Sequence, residues 1–174
     1  MKKILLLFGL PGSGKSTISN EIKKTTNNIY FSKVSEWIRK DSLFLHNNKS
    51  IADVYNARII SNKNYWSDLL INDLKLINKS IIVVESTHAI NEFIKIRNTL
   101  DNVLLVGIFP SLKCLLNRVN SKDTTTEDKT KKIEYINEHF DKCKKIESYE
   151  HFDYIFYEQK TTEILPYLID LGDL

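Results

Sequence analysis

Gly9-Leu10-Pro11-Gly12-Ser13-Gly14-Lys15-Ser16 follows the apolar run Ile4-Leu5-Leu6-Leu7-Phe8 and precedes a helical pattern that continues through Thr17. The octapeptide fits the spacing G-x-x-x-x-G-K-[ST], in which a strand, a glycine-rich turn and a helix N-terminus meet. A loop that wraps a polyphosphate must turn its backbone N–H groups inward, and glycine reaches the necessary dihedrals cheaply while leaving room for the anion. The helix that begins here points its positive end at the same place. The expected nucleotide contacts are therefore Gly9, Pro11, Gly12, Ser13, Gly14, Lys15, Ser16 and Thr17. Lys15 reaches the β- and γ-phosphates, and Ser16 offers its hydroxyl to Mg²⁺.

Outward from this loop the chain alternates strand and helix. Lys3–Phe8 reads as strand, 15–26 as helix, Ile29–Phe31 as a short strand, and a helix capped by Ser32 or Ser35 runs to about residue 45. Ser50–Asn78 holds one bent helix or two, with Ile51, Val54, Tyr55 and Ile59 on one face and Trp66, Leu70, Leu74 and Ile77 on another. Ile81-Ile82-Val83-Val84 is an unbroken β-branched run, the mark of a strand buried on both faces. Ile90–Leu100 is helix, Val103–Phe109 strand and Ser111–Val119 helix. Glu127–Glu147 is a periodic helix expected to bury Ile133, Ile136, Phe140, Cys143 and Ile146. Phe152–Tyr157 and 162–171 close the chain as strand and helix. Five strands separated by helices predict an α/β fold, a three-layer doubly wound parallel sheet whose ligands bind beyond the carboxyl ends of the strands.

Length and composition set further bounds. The 174 residues, 42% of them hydrophobic, suit one domain with a core that needs no disulfide or metal. A net charge of +3, from 25 basic and 22 acidic residues, is not that of a strongly basic nucleic-acid-binding body. Cys114 and Cys143 are too few and too isolated for a disulfide framework or a zinc site, and read as reduced, small buried residues. The apolar N-terminal run is too short to span a bilayer and leads into the glycine loop, so a cytoplasmic protein with no membrane partner is expected.

Other chemistry-bearing residues are sought at the carboxyl ends of strands. Glu85 ends the buried third strand and is followed by Ser86-Thr87-His88. Its carboxylate can hold a magnesium-bound water or accept a proton from an attacking hydroxyl, and His88 can touch substrate. Arginine, suited to bidentate phosphate recognition, occurs four times, at 39, 58, 97 and 118. Arg39, with Glu36, lies in the helix after the second strand, where an acceptor is expected to sit. Arg118 opens the polar stretch Val119-Asn120-Ser121-Lys122-Asp123-Thr124-Thr125-Thr126, which reads as a lid able to close over phosphates, with Lys122 as a second charge. Arg58 and Arg97 read as partners in solvated surface salt bridges.

These residues resemble the small P-loop kinases of the nucleoside-monophosphate-kinase type, including adenylate-kinase-like and dephospho-coenzyme-A-kinase-like proteins. The glycine loop with its Lys-Ser-Thr is the specific part. Ser35-Glu36-Trp37-Ile38-Arg39 looks like the acceptor-side G-D-x-x-R segment, Arg118 like the first lid arginine, and Phe152–Tyr157 like the family's last strand, after which Glu158-Gln159-Lys160 would line the donor's adenine. Glu85 stands where aspartate is commoner, Ser86 replaces a glycine, and Lys122 replaces a second arginine. The resemblance implies strand order 2-3-1-4-5, an acceptor region over about 32–78 and a lid over about 118–130. The function it implies is an ATP- and Mg²⁺-dependent kinase acting on a small nucleotide-like acceptor, with Lys15, Glu85 and Arg118 catalytic, Ser16 and Glu85 at the metal, and Glu36, Arg39, His88 and Lys122 at the acceptor. Two other readings stand beside it. One is a kinase of a polynucleotide or metabolite hydroxyl with Glu85 as base, the case that admits a nucleic-acid partner. The other is a nucleotide-dependent switch or hydrolase, against which the missing N-K-x-D motif speaks.

Overall fold

The structure, a computed structural model, describes residues 2–25, 27–41, 44–45, 50–147, 150–158 and 163–164. Its five strands are β1 (Lys3–Phe8), β2 (Ile29–Lys33), β3 (Ile81–Ser86), β4 (Val103–Ile108) and β5 (Tyr154–Phe156). They form one parallel sheet in the order β2-β3-β1-β4-β5, as the sequence led us to expect, and the doubly wound α/β class holds. The apolar runs of β1 and β3 are buried almost throughout, as strands covered on both faces must be. The helices among the described residues are α1 (Lys15–Thr25), α2 (Val34–Lys40), α3 (Ile51–Ser61), α4 (Tyr65–Leu76), α5 (Ile90–Thr99), α6 (Leu112–Asn120) and α7 (Thr126–Glu147). None of them is long and apolar enough to cross a membrane. The chain gathers into two compact units, Met1–Leu6 with Asn28–Leu104 and Leu7–Asn27 with Leu105–Leu174.

In the first unit β2 pairs with β3 in register from Ile29 opposite Ile81 to Lys33 opposite Glu85. The strand therefore runs two residues past its expected end, because Ser32 and Lys33 still have ladder partners in Val84 and Glu85. Neither serine caps α2. Lys33 holds that position without a side-chain cap, while the Ser32 hydroxyl donates to the Glu36 carboxylate at 2.7 Å. The helix stops at Asp41, which is extended (φ −66°, ψ 141°); of the rest of the helix expected to residue 45, 42–43 lie outside the described residues and 44–45 are helical. The break has a tertiary cause, since the Asp41 carboxylate is taken by Arg58 and Tyr65 from the helices that follow. The 50–78 region is two helices. Ser50 and Asp53 cap α3 reciprocally, and Asn62 ends it in an extended conformation. On α4 Trp66, Leu70 and Leu74 of the expected face are fully buried, while Ile77 is the extended C-cap and half-buried; on α3 only Val54 is buried. Trp66 carries Tyr55 stacked at 6.1 Å and Tyr65 edge-on at 4.9 Å, arrangements that aromatic quadrupoles favour.

In the second unit, β4 pairs with β5 in register from Val106 opposite Tyr154 to Ile108 opposite Phe156. β5 is shorter than the expected 152–157, because the Asp153 side chain takes over the pairing: its carboxylate accepts the Leu105 N–H at 2.8 Å while its own N–H donates to the Leu105 carbonyl at 2.9 Å. Phe8, Phe109 and Phe152 pack as an aromatic group with centroids 5.4–6.2 Å apart. Ser111 caps α6 by accepting the Cys114 N–H at 3.3 Å. Of the α7 residues expected inside, Ile136 and Cys143 are buried, and Ile133, Phe140 and Ile146 are half-buried. Cys114 is half-buried, not buried as expected, and both cysteines are free thiols. Residues 163–164 are helical; the rest of the helix expected over 162–171 lies outside the described residues.

Candidate active site

The phosphate loop sits within the second unit, between the carboxyl end of β1 and the start of α1. Its glycines have a second use beyond the one read from sequence. A Cβ on Gly9 would stand 2.5 Å from the Ile108 carbonyl oxygen, and one on Gly12 would stand 3.1 Å from both the Leu115 carbonyl and a Val119 methyl. The loop is thus pressed against the end of β4, so closely that a side chain at Gly9 would force a shift, and against α6, where one at Gly12 would need its neighbours to give by a few tenths of an ångström. Gly12 also has φ +80°, a region side chains avoid.

At the centre of the loop the Lys15 ammonium is buried. It donates to the carbonyls of Gly9 and Leu10, the latter at 3.0 Å, and to Ser13 Oγ at 3.3 Å. Arg118, from α6, donates Nη1 to the Ser13 carbonyl at 3.1 Å. Two cations expected at a polyphosphate therefore converge on one turn of backbone. Ser16 and Thr17 are exposed on the first turn of α1. Beside the loop an apolar cleft is lined by Leu10, Phe109, Pro110, Leu115, Phe140 and Cys143. Burial pushes the Cys143 thiol up to about 11, with the Lys15 charge pulling the other way. Of the two charges expected in a lid, Lys122 is exposed in the loop between α6 and α7, and Arg118 touches the phosphate loop. Glu158, just after β5, accepts the Ser111 N–H at 3.3 Å; hydrogen bonding from the Ser111 side chain, and then from this N–H, holds its carboxyl below the usual range. Gln159 and Lys160 lie outside the described residues.

Of the expected acceptor residues, Glu36, Arg39 and His88 belong to the first unit, as does Glu85, and Lys122 belongs to the second. Glu85 is buried at the carboxyl end of β3, opposite Lys33. Ser86 follows it and stabilises the turn into α5 by accepting the N–H groups of His88 (3.1 Å) and Ala89 (2.9 Å), which leaves His88 exposed. Glu36 and Arg39 are exposed on α2, where Arg39 donates to Ser35 Oγ at 3.4 Å. Trp37, between them, is buried and donates its indole N–H to Asp73 on α4 at 2.7 Å.

Sequence reasoning missed two buried polar groups here. Arg58 is no solvated surface partner. It grips Asp41 with two bonds, Nε to Oδ2 at 3.0 Å and Nη2 to Oδ1 at 2.9 Å, and the Asp41 side chain is only 2% exposed. Tyr65 donates to the same carboxylate at 2.9 Å, and the guanidinium lies 4.9 Å from its ring centroid. Its phenol is held above the usual range, first by burial and then by Asp41. The second group is Tyr55, which donates to Glu92 Oε1 at 2.7 Å; burial and the Glu92 carboxylate push this phenol well above its usual range. Glu92 Oε2 is buried with no hydrogen-bond partner among the described residues. No pattern in the sequence joins residues 17, 24 or 37 positions apart, so neither group had a signal.

No protein-family model matches the chain, and no curated protein matches it. Solved structures do. A shikimate kinase from Bacteroides thetaiotaomicron superposes with a TM-score of 0.63 at 14% identity, covering 97% of this chain and 99% of its own. One from Acinetobacter baumannii, in complex with shikimate, gives 0.58 at 15% identity, covering 98% and 94%. The chain has the fold of the small P-loop kinases. A third P-loop kinase of this fold, the shikimate kinase of Aquifex aeolicus, gives 0.52 at 21% identity, covering 95% and 93%. The glycine loop after β1 therefore lies in the fold context that its sequence called for.

Proposed function

We propose that the protein is a kinase that transfers the γ-phosphoryl group of ATP, bound with Mg²⁺, to a small-molecule acceptor. The observation that carries this reading is the convergence of Lys15 and Arg118 on a glycine loop at a helix N-terminus. Phosphoryl transfer asks for position and charge more than for covalent chemistry, and this loop supplies both. Lys15 would exchange its loop carbonyls for phosphate oxygens, and the N–H groups of residues 12–17 would hold the anion. Arg118 would balance the charge that develops on the transferred group, with Lys122 closing over it.

The donor set fits magnesium in the way these loops hold it. Among the described residues no cluster of three or more His, Cys, Asp or Glu side chains exists. The ion would be held by the Ser16 hydroxyl and by phosphate oxygens. Bound there, Mg²⁺ supplies charge neutralisation for the phosphates.

For the acceptor we favour a hydroxyl. Glu85 is a buried carboxylate at a strand end, suited to take the proton of an attacking alcohol, and the neighbours with this fold include one bound to the polyhydroxylated acid shikimate. Arg39, Glu36 and His88 would then bind the acceptor's polar groups. A nucleotide acceptor is the second reading, supported by Arg39 in its segment on α2. Free thiols at Cys114 and Cys143 are consistent with a cytoplasmic location. The test is ADP formation from Mg·ATP with shikimate, nucleoside monophosphates, dephospho-coenzyme A and 5′-hydroxyl oligonucleotides offered one at a time. The proposal expects one acceptor to raise ADP formation manyfold and Glu85→Gln to abolish the gain. Slow hydrolysis that no acceptor changes would refute it.

A further inference from the structure

We infer that Asp41 is a positioning residue: its carboxylate, clamped by Arg58 and Tyr65, fixes the end of α2 and so the placement of Glu36 and Arg39. The inference rests on the reading of α2 as an acceptor helix. Seven residues make two turns, too short to be stable alone, and α2 begins without a side-chain cap. Its orientation must come from tertiary contacts. Val34, Trp37 and Ile38 bury one face, and Trp37 ties the helix to α4 through Asp73. What remains is the far end. There Asp41 accepts from Arg58 of α3 and Tyr65 of α4, so one carboxylate joins three helices.

The backbone of Asp41 adds to the effect. Its N–H donates to the Ile38 carbonyl at 3.1 Å, the last bond of α2, and its carbonyl accepts the N–H groups of Phe44 (3.0 Å) and Leu45 (3.1 Å), the first bonds of the next turn. Arg39 stands two positions away and Glu36 five. α3 buries only Val54 completely, so apolar packing gives its junction little rigidity and the ion pair sets the geometry. Arg58 suits this role better than lysine would, because a planar fork stacked near the Tyr65 ring meets both carboxylate oxygens at once.

A clamp of this kind predicts a local defect when it is weakened, whereas a merely structural pair predicts a global one. Amide hydrogen exchange and steady-state kinetics are measured on the wild type, Asp41→Asn and the milder Tyr65→Phe, which removes one hydrogen bond and keeps the ring. Exchange in α2 should accelerate about tenfold or more in Asp41→Asn and less in Tyr65→Phe, with α1 unchanged, since a bond to a charged group is the stronger kind. With shikimate, or the panel member that proves active, the acceptor KM should rise about tenfold while kcat and the KM for Mg·ATP stay within about twofold. Equal acceleration in α1 and α2, or a fall in kcat at unchanged acceptor KM, would overturn the clamp. Arg39→Ala separates the two claims. If it leaves the acceptor KM unchanged, the acceptor role of α2 fails; if it raises KM while Asp41→Asn does not, the clamp alone fails. The exchange measurement needs no acceptor, so it decides the local defect in either case.

Discussion

Alanine at each loop glycine should cost stability in a fixed order, Gly9 most, then Gly12, then Gly14. At Gly14 the new Cβ would meet nothing nearer than Arg118 Nη1 at 3.8 Å, an ordinary contact, so the cost is that of an alanine at φ +108°, about 1.5 kcal/mol. At Gly12 the φ of +80° carries a similar strain, and overlap with the Leu115 carbonyl and the Val119 methyl, both at 3.1 Å, adds about 1.5 kcal/mol more. At Gly9 the Cβ would lie 2.5 Å from a backbone oxygen of β4, which has no rotamer to give way, so the strand or the loop must move and the loss should exceed about 3 kcal/mol. A domain of this size loses about 3 °C of Tm per kcal/mol, which gives falls of about 5 °C for Gly14→Ala, about 9 °C for Gly12→Ala and more for Gly9→Ala. Differential scanning calorimetry at matched pH reads this order directly. Equal falls at the three sites, or Gly9→Ala as the mildest, would refute the claim that the loop is pressed against β4 and α6.

Arg58→Ala should speed amide exchange in α2 as Asp41→Asn does, while Arg97→Ala should leave it unchanged; hydrogen exchange on the two variants side by side tests this. At pH 8 a thiol reagent should modify Cys114 and spare Cys143, whose pKa near 11 keeps it protonated. Because that pKa is raised by folding, the Cys143 contribution to stability is intact below its ordinary value of 9 and is lost as pH climbs through about 11. The Tyr55 phenol is raised in the same sense, so its contribution is intact below pH 10, its ordinary value, and lost at higher pH. Tyr55→Phe should therefore flatten the fall of Tm above pH 10 while costing about 1–3 kcal/mol at pH 7, where Glu92 loses its donor; Tm measured from pH 7 to 11 checks both.

The parts of the fold that were legible in the sequence are those with a local period or a local motif. The β-branched run at 81–84, the apolar run at 4–8 and the glycine loop each carry their own signal, and strand order followed from the kinase resemblance. What was not legible depended on contacts between distant residues. The end of α2 is set by two side chains from other helices, not by the propensity of residues 41–45, which is why a longer helix was expected. β5 is trimmed because the Asp153 side chain takes over a backbone pairing. The site divided in the same way. Lys15, Ser16 and Arg118 could be named from spacing and scarcity, and Lys15 and Arg118 do converge on the loop. The packing reason for Gly9 and Gly12 needed β4 and α6 in place, and the Asp41 and Glu92 groups join helices that the sequence leaves unrelated.

The central claim is that the loop at 9–16 is a nucleoside-triphosphate cradle with Lys15 at its centre, and titration calorimetry of Mg·ATP into the wild type and Lys15→Ala tests it most directly. The account predicts saturable binding near one equivalent to the wild type, weakened at least about a hundredfold by the substitution, with a Tm shift confirming that the variant is folded. Equal affinity of the two proteins for Mg·ATP, or no binding to a folded wild type, would contradict it.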